Sequence, residues 1–454
     1  AVNGTVLVNR FDNSTEAYIG RTDVELTKNT NVQDNGKVDV KATDKSLDIS
    51  LGGAVGVTEG STGIGATIAY NHIDRDTSAY VLGNIKSATD ITVEAKNTGN
   101  IVAVGVAGSI ALPKTEADNA VQTVDNAVGG GRDAINVDEQ TVNELLNVGE
   151  TQEVTADTGA NMAQEVNDSA SEANVADAQN SFAIAASVAV NRILDSAHAY
   201  VGKYASDASK AYAPSIYAQS LNVHGINDSE IINVTGAVSL NLEGLENNNA
   251  IGGSFTYNSM TSDNTASVEN AELILNGNTT AKEALSVKAD NEEEIVNVAL
   301  SGGVATKGNA WTGQVSMNWV DNTTKAYVQD SKVTADRNVL IKAEDEAEIE
   351  SFTGSVSVSG KNSMAALGVA VGVNLIDAHT EAFAKDSIFA LRNAHTSSNL
   401  NIEAMENSDI TSIVAAGAIA VDNKSWSISG SANGNDVDSS AKAYLENTKS
   451  QNGG

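Results

Sequence analysis

The sequence predicts an all-β protein in which copies of one repeat stack as a β-solenoid. A decapeptide returns along the whole chain, and β-branched residues alternate with small ones between its copies. Aromatic residues make up only 4% of the sequence, which is too few to fill a thick globular core. Valine, isoleucine and alanine can fill a narrow core instead. A fixed period of this size is typical of stacked arrays, and period-two alternation is a strand pattern.

The decapeptide is clearest at residues 318–327, which read NWVDNTTKAY. Its copies share a leading asparagine, at Asn9, Asn71, Asn191, Asn258, Asn318, Asn374 and Asn435. Nine residues later stands an aromatic ring, at Tyr18, Tyr80, Tyr200, Tyr327, Phe383 and Tyr444, whereas the copy at Asn258 has Ser267 in this place. If one unit forms one coil, stacking predicts a structural ladder of amides and a column of rings.

The leading asparagines lie 62, 120, 67, 60, 56 and 61 residues apart, so the repeat is about 60 residues long with one insertion. Each unit contains an alternating run such as residues 285–289, a charged patch, an isoleucine, a Gly-rich run and the run that carries the decapeptide. We expect about four strands per unit, separated by turns. At roughly 20–30 residues per coil, a unit would form two or three coils, giving a rod on the order of 70–100 Å long. An alternative layout pairs the two long strands of each unit as antiparallel hairpins.

The composition and charge exclude several classes of partner. The net charge is −32, which excludes nucleic-acid binding by charge neutralisation and leaves room for a basic partner, although acidity also simply keeps a protein soluble. The absence of cysteine excludes disulfides and thiolate metal sites. No apolar run approaches the ~18–20 residues that span a bilayer, so we expect no direct membrane insertion of this chain. The sequence begins and ends within the repeat pattern, so we expect this chain to be a fragment of a longer array of repeats.

The segment 113–179 departs from the repeat and divides the predicted organisation into repeats at 1–112, an insertion, and repeats at 180–454. Alternation stops here, and two basic residues accompany fourteen acidic ones. Helix-forming residues at 141–148 and 160–166 predict a partly helical insertion, interrupted by three glycines at 129–131. An insertion on a rigid array either binds a partner or has no function and is merely tolerated by the fold.

Two acidic clusters and one tryptophan form the candidate binding surface. The clusters are residues 292–294 and residues 344–346, the latter followed by Glu348. The clusters fall at the same place in the repeat, where a turn is expected, and other units carry lysine or asparagine there, so we interpret them as a solvated edge and not as a catalytic pair. Trp319 occupies a position held by arginine, histidine, leucine or serine elsewhere, which indicates exposure. The candidate residues are Glu292, Glu293, Glu294, Glu344, Asp345, Glu346 and Trp319.

The aspartate of the decapeptide, at Asp12, Asp74, Asp321 and Asp377, is interpreted as a cap of its own turn through side-chain to backbone hydrogen bonds. The alternative is calcium, because stacked carboxylates can share a hard cation. No other cofactor or metal is predicted. The histidines within the decapeptide copies, such as His72, show no ligand spacing and are interpreted as solvent-facing variation.

The VxVN-x-x-D-x-x-T-x-AY pattern, the VxVxA runs, the acidity and the lack of cysteine make the chain resemble the passenger region of leukotoxin-like filamentous adhesins and related autotransporters of Gram-negative anaerobes. This resemblance implies a right-handed parallel β-helix exported through an outer-membrane barrel outside this chain. It also implies a location at the bacterial cell surface, and attachment to a protein or glycan receptor on host cells or other bacteria. No binding residue is carried over from it.

Three hypotheses follow from the sequence. The favoured one is a non-enzymatic fragment of a bacterial surface adhesin. The second is a spacer stalk whose recognition lies elsewhere, and the third is a carbohydrate-active β-helix enzyme using carboxylates such as Glu292 or Glu344.

Overall fold

The computed structural model describes the repeats on both sides of the insertion. The described residues are 1–26, 36–59, 62–112, 180–202, 213–242, 247–277, 282–361, 363, 365–392, 398–422 and 424–451. Among them every regular element is a β-strand, and no helix is long and apolar enough to cross a membrane. The predicted partly helical insertion lies outside the described residues.

The strands form two sheets, which we name sheet A and sheet B. Sheet A contains seven long strands, which pair in chain order: β1 (Val2–Ile19), β4 (Thr62–Val81), β6 (Asn180–Gly202), β8 (Asn247–Glu269), β11 (Ala310–Gln329), β14 (Ala365–Lys385) and β17 (Trp426–Glu446). The long strands of sheet B also pair in chain order: β3 (Val38–Glu59), β5 (Asn84–Leu112), β7 (Ser215–Asn241), β10 (Glu283–Ala305), β13 (Asn338–Ser359) and β16 (Leu400–Ala420). Short strands complete sheet B: β2 (Asp23–Glu25), β9 (Glu272–Leu275), β12 (Lys332–Ala335), β15 (Ile388–Leu391) and β18 (Lys449–Ser450).

The fold is a parallel β-solenoid, as the sequence predicts, because every strand pairing in the described part of the chain is parallel. This excludes the antiparallel hairpin layout. One unit of about 60 residues forms one coil, which consists of a long strand in sheet A followed by the short and long strands of sheet B. The expectation of two or three coils per unit is therefore wrong.

The coil has this size because the strands are much longer than expected. The predicted turn at the acidic clusters is absent: β10 runs without a break from Glu283 to Ala305, and β13 from Asn338 to Ser359. Alternation continues through the charged patch, with Glu292 facing out and Glu293 and Ile295 facing in. A strand of 20 residues spans roughly 66 Å, whereas seven stacked strands span about 29 Å, so the body is wider than it is tall. The long thin rod is thus not observed.

The space between the sheets holds apolar layers separated by polar columns. One large cluster of valine, alanine, isoleucine and leucine fills the half of the coil that contains the short strands. A second cluster is a column of isoleucines, which includes Ile73, Ile193, Ile231 and Ile295. Asparagine, serine, threonine and several charged residues occupy the inward positions between these clusters. The repeat therefore stacks like residues on like both in its apolar and in its polar positions.

A left-handed residue marks the corner where the chain passes from sheet A to the short strands. Asn270, Asp330, Asp386 and Asn447 have φ angles of 53°, 49°, 48° and 48°. Each lies twelve residues after the leading asparagine of its unit. Asparagine and aspartate tolerate this conformation best among non-glycine residues, which explains their recurrence at the corner.

Candidate functional site

The asparagines and rings of the decapeptide lie in line across sheet A. Parallel pairing puts each leading asparagine beside that of the next coil, and six amide-to-carbonyl hydrogen bonds of 2.7–3.2 Å join the seven side chains. These asparagines point inward, and the central ones are buried. The rings point outward and stack in two groups of three, with centroids 4.7–5.0 Å apart, on either side of Ser267.

Two residues of the candidate binding surface are buried, because they occupy inward positions of sheet B. Glu293 is fully enclosed between the sheets, and neither of its carboxylate oxygens has a hydrogen-bond partner in the described part of the chain. Asp345 accepts hydrogen bonds from Asn291, Asn322 and Thr324. The interpretation of both clusters as a solvated edge is therefore wrong for Glu293 and Asp345, which cannot contact a partner.

Burial and neighbouring charges change the protonation of Glu293. Its pKa is raised well above the usual range, first by burial and then by the carboxylates of Asp195 and Asp345. The positive charge of Arg75 lowers the pKa of Glu293, but its effect is smaller. A neutral carboxyl group is thus the form that this interior accommodates.

The outward neighbours of these buried residues form a patch of carboxylates on the outer face of sheet B, which we call the acidic patch. In-register pairing puts Glu292 between Asp228 and Glu346, and Glu294 between Glu230 and Glu348. None of the ion pairs between described residues involves a member of the patch. Its members are Asp228, Glu230, Glu292, Glu294, Glu346, Glu348, Glu350 and Asp409.

The carboxylates of the acidic patch repel one another, and this repulsion is visible in their pKa values. Burial raises the pKa of Glu294, and the carboxylates of Glu230 and Glu348 raise it further. The pKa of Glu292 is raised by burial and then by Asp228 and Glu346. A cationic group placed against these carboxylates stabilises their charged form, because it offsets the repulsion between them.

The remaining candidate residues lie elsewhere. Glu344 is on the same face as the acidic patch, but it forms an ion pair with Lys342. Trp319 is 42% exposed on the outer face of sheet A, on the opposite side of the molecule. The structure therefore brings together Glu292, Glu294 and Glu346 and separates them from Trp319.

Sequence reasoning missed four members of the patch, namely Asp228, Glu230, Glu350 and Asp409. For three of them the sequence held the information, because Asp228 aligns with Glu292, and Glu230 and Asp409 align with Glu294, once alternation is continued through the charged stretch. Glu350 lies one outward position further along its strand, in line with Val296 and Thr411. A supposed turn at this point hid that alternation.

The aspartates of the decapeptide do not cap turns, because they stand in the middle of strands and point away from the core. Asp12 pairs with Asp74, and Asp377 with Asp321 and Asp438, in rows on the outer face of sheet A. His72 lies beside the first row, and the interpretation of this residue as solvent-facing is wrong, since only 7% of it is exposed. Burial lowers its pKa, and Arg10 and Arg192 lower it further.

Together these features define a class of protein: a two-sheet parallel β-solenoid with charged, open outer faces. Comparison of the chain with protein-family models, with curated proteins and with solved structures finds no match. Functional conclusions therefore depend on the surfaces of the solenoid.

Proposed function

We propose that this chain is a non-enzymatic part of a bacterial surface adhesin, and that the acidic patch is its contact surface for a basic partner. The observation that carries the proposal is the set of eight carboxylates, seven of them aligned in two rows, that no described lysine or arginine neutralises. A rigid sheet presents these charges at fixed spacing, so binding does not require the surface to be ordered first. Complementary charge accelerates encounter and favours basic partners over others.

The location at the bacterial surface rests on the resemblance to filamentous adhesins. A solenoid without cysteine and with a net charge of −32 suits an extracellular, soluble location. The partner is a basic surface on a receptor of a host cell or of another bacterium. We propose no nucleic-acid partner, because phosphates would be repelled.

The test compares two variants that each lose four carboxylates. The patch variant combines Glu292→Gln, Glu294→Gln, Glu346→Gln and Glu348→Gln. The matched control changes four acids on the outer face of sheet A, by Asp321→Asn, Asp377→Asn, Glu381→Gln and Asp438→Asn. Adhesion to cultured animal cells, to other bacteria and to a polylysine-coated surface is measured at low and high salt.

We expect the patch variant to lose at least tenfold in adhesion and most of its salt dependence, whereas the control keeps both. Equal losses in the two variants would show that net charge, and not the patch, is responsible. Adhesion that both variants retain would place the contact elsewhere.

A second candidate is the spacer stalk, which the unbroken coil-to-coil ladder of asparagines favours. A chain that adheres to none of these surfaces would support it. The carbohydrate-active alternative requires release of reducing ends from a polysaccharide, with loss of this activity in Glu292→Gln or Glu344→Gln.

A further inference from the structure

The outer face of sheet A holds a second feature, which is independent of the acidic patch. Asp12, His72 and Asp74 come together where β1 pairs with β4. One ring nitrogen of His72 and one carboxylate oxygen from each aspartate all lie within 4.8 Å of one another. The three side chains come from two strands, so the register of the solenoid, and not a local loop, creates the group.

His72 distinguishes this group from an ordinary acidic row. Only 7% of the residue is exposed, although it lies on an outer face, and its Nδ1 atom has no hydrogen-bond partner in the described part of the chain. Its ring packs against Tyr70, with ring centroids 6.3 Å apart, which restricts its orientation. A buried imidazole nitrogen without a partner is costly unless a ligand occupies it.

We propose that Asp12, His72 and Asp74 bind a first-row divalent transition metal ion such as zinc. One imidazole and two carboxylates are a common ligand set for such ions, which leaves further positions open to water. Calcium fits this group less well, because it prefers oxygen ligands alone. The aspartates alone pointed to calcium, and the histidine changes the expected ion.

Two features of the surroundings shape the proposal. Bonds of about 2.0–2.2 Å require the ligand atoms to approach to about 3.4 Å, which rotation of the two carboxylates at the surface supplies. Arg10 competes for the site, because its Nε donates hydrogen bonds of 3.0 and 2.9 Å to the two oxygens of Asp12. The ion must therefore displace this guanidinium group or share Asp12 with it.

Other coils show which substitutions the fold accepts at these positions, and the coil two places further along the stack supplies the variants of the site used here. Ser259 lies at the position that corresponds to His72, and Thr261 at the position of Asp74. His72→Ser and Asp74→Thr therefore remove the ligands and introduce only side chains that already occur at these positions of the repeat. Arg10→Ser removes the competitor. The matched control is His379→Thr, which removes another histidine of this face and copies Thr323 of the adjacent coil.

The experiment is calorimetric titration of the whole chain with zinc and with calcium, and with cobalt to record its visible absorption. We expect one zinc ion per chain, at least tenfold weaker binding in His72→Ser and Asp74→Thr, and unchanged binding in His379→Thr. Arg10→Ser should bind more tightly than the parent chain. Far-UV circular dichroism checks that each variant keeps its strands.

Three results would overturn the proposal. They are no zinc binding by the folded parent chain, zinc binding that His72→Ser leaves unchanged, and calcium binding as tight as that of zinc. None of these results bears on the acidic patch, because the patch lies on the other sheet and its test measures adhesion.

Discussion

Arg75 forms a buried, two-point ion pair with Asp195, a residue 120 positions away in the sequence. Its Nε and Nη2 donate hydrogen bonds of 2.7 and 2.6 Å to the two oxygens of Asp195. Both side chains are completely shielded from solvent. The pair joins the two coils that flank the insertion, and Ser229 of sheet B hydrogen-bonds to both partners.

Removal of one partner of this pair should lower the free energy of unfolding much more than removal of both. Asp195→Ser leaves the Arg75 charge buried without a counterion, and we expect the free energy of unfolding to fall by about 3–5 kcal/mol. The double variant Arg75→Asn with Asp195→Ser should recover most of this loss, because Asn322 and Ser262 already occupy these positions in other coils. Urea unfolding followed by circular dichroism measures both. A double variant no more stable than the single one would contradict the explanation.

Glu293 should make the protein less stable as the pH rises. Its folded pKa is raised, so the folded state keeps a proton that the unfolded chain releases above a pH of about 4.5. Stability is therefore complete below that pH and decreases, by at most about 1.4 kcal/mol per pH unit from this group, until the folded carboxyl itself ionises.

Glu293→Gln removes this dependence, so the variant should gain stability relative to the parent between pH 4.5 and 8. The matched control is Glu346→Gln, at an exposed position in the next coil. Unfolding midpoints measured across this pH range provide the comparison. Parallel curves for Glu293→Gln and the parent chain would show that the carboxyl group is not protonated in the folded state.

The asparagine ladder should contribute most where it is buried. Asn258 accepts a hydrogen bond from Asn191 and donates one to Asn318, each 2.8 Å long. Asn258→Ala leaves both neighbours with an unsatisfied buried group, and we expect a loss of about 2–4 kcal/mol.

Asn435 is the matched control for the ladder, because it belongs to the same row but is exposed on the terminal strand β17. Asn435→Ala should cost less than about 1 kcal/mol. Thermal unfolding of the two variants tests the difference, and equal losses would argue against burial as the cause.

Gly99 makes room for the buried guanidinium group. A Cβ atom at this position would lie 2.4 Å from Nη1 of Arg75 and 2.1 Å from the carbonyl oxygen of Ser46. We expect Gly99→Ala to lower the free energy of unfolding by about 1–3 kcal/mol. Gly313→Ala is the control, since a Cβ there meets no atom within 4 Å. A neutral Gly99→Ala in urea unfolding would show that the neighbouring coil moves to accommodate it.

The sequence by itself determined the repeat, the strands and their stacking. The spacing of residues such as Asn318 and Asn374 predicted which positions share a row, and the alternation around them predicted strands. These features are readable because a parallel stack places identical positions of successive units side by side. The location of Trp319 at the surface was also predictable, since its position accepts unrelated side chains in other units.

Only the tertiary structure decided how many residues form a coil and which face each charge occupies. A charged stretch such as residues 291–294 reads as a turn when hydrophobicity alone is considered, yet it continues as a strand. Asn291 hydrogen-bonds to Ser262 and Asp345 between the sheets, while Glu292 and Glu294 point outward. A shift of one position decides whether a glutamate is buried, as Glu293 is, or exposed, as Glu292 is. The repeat aligns Arg75 with Asp195 and Asp12 with Asp74, but these side chains meet only because one unit forms one coil, which puts equivalent positions of successive units on adjacent strands.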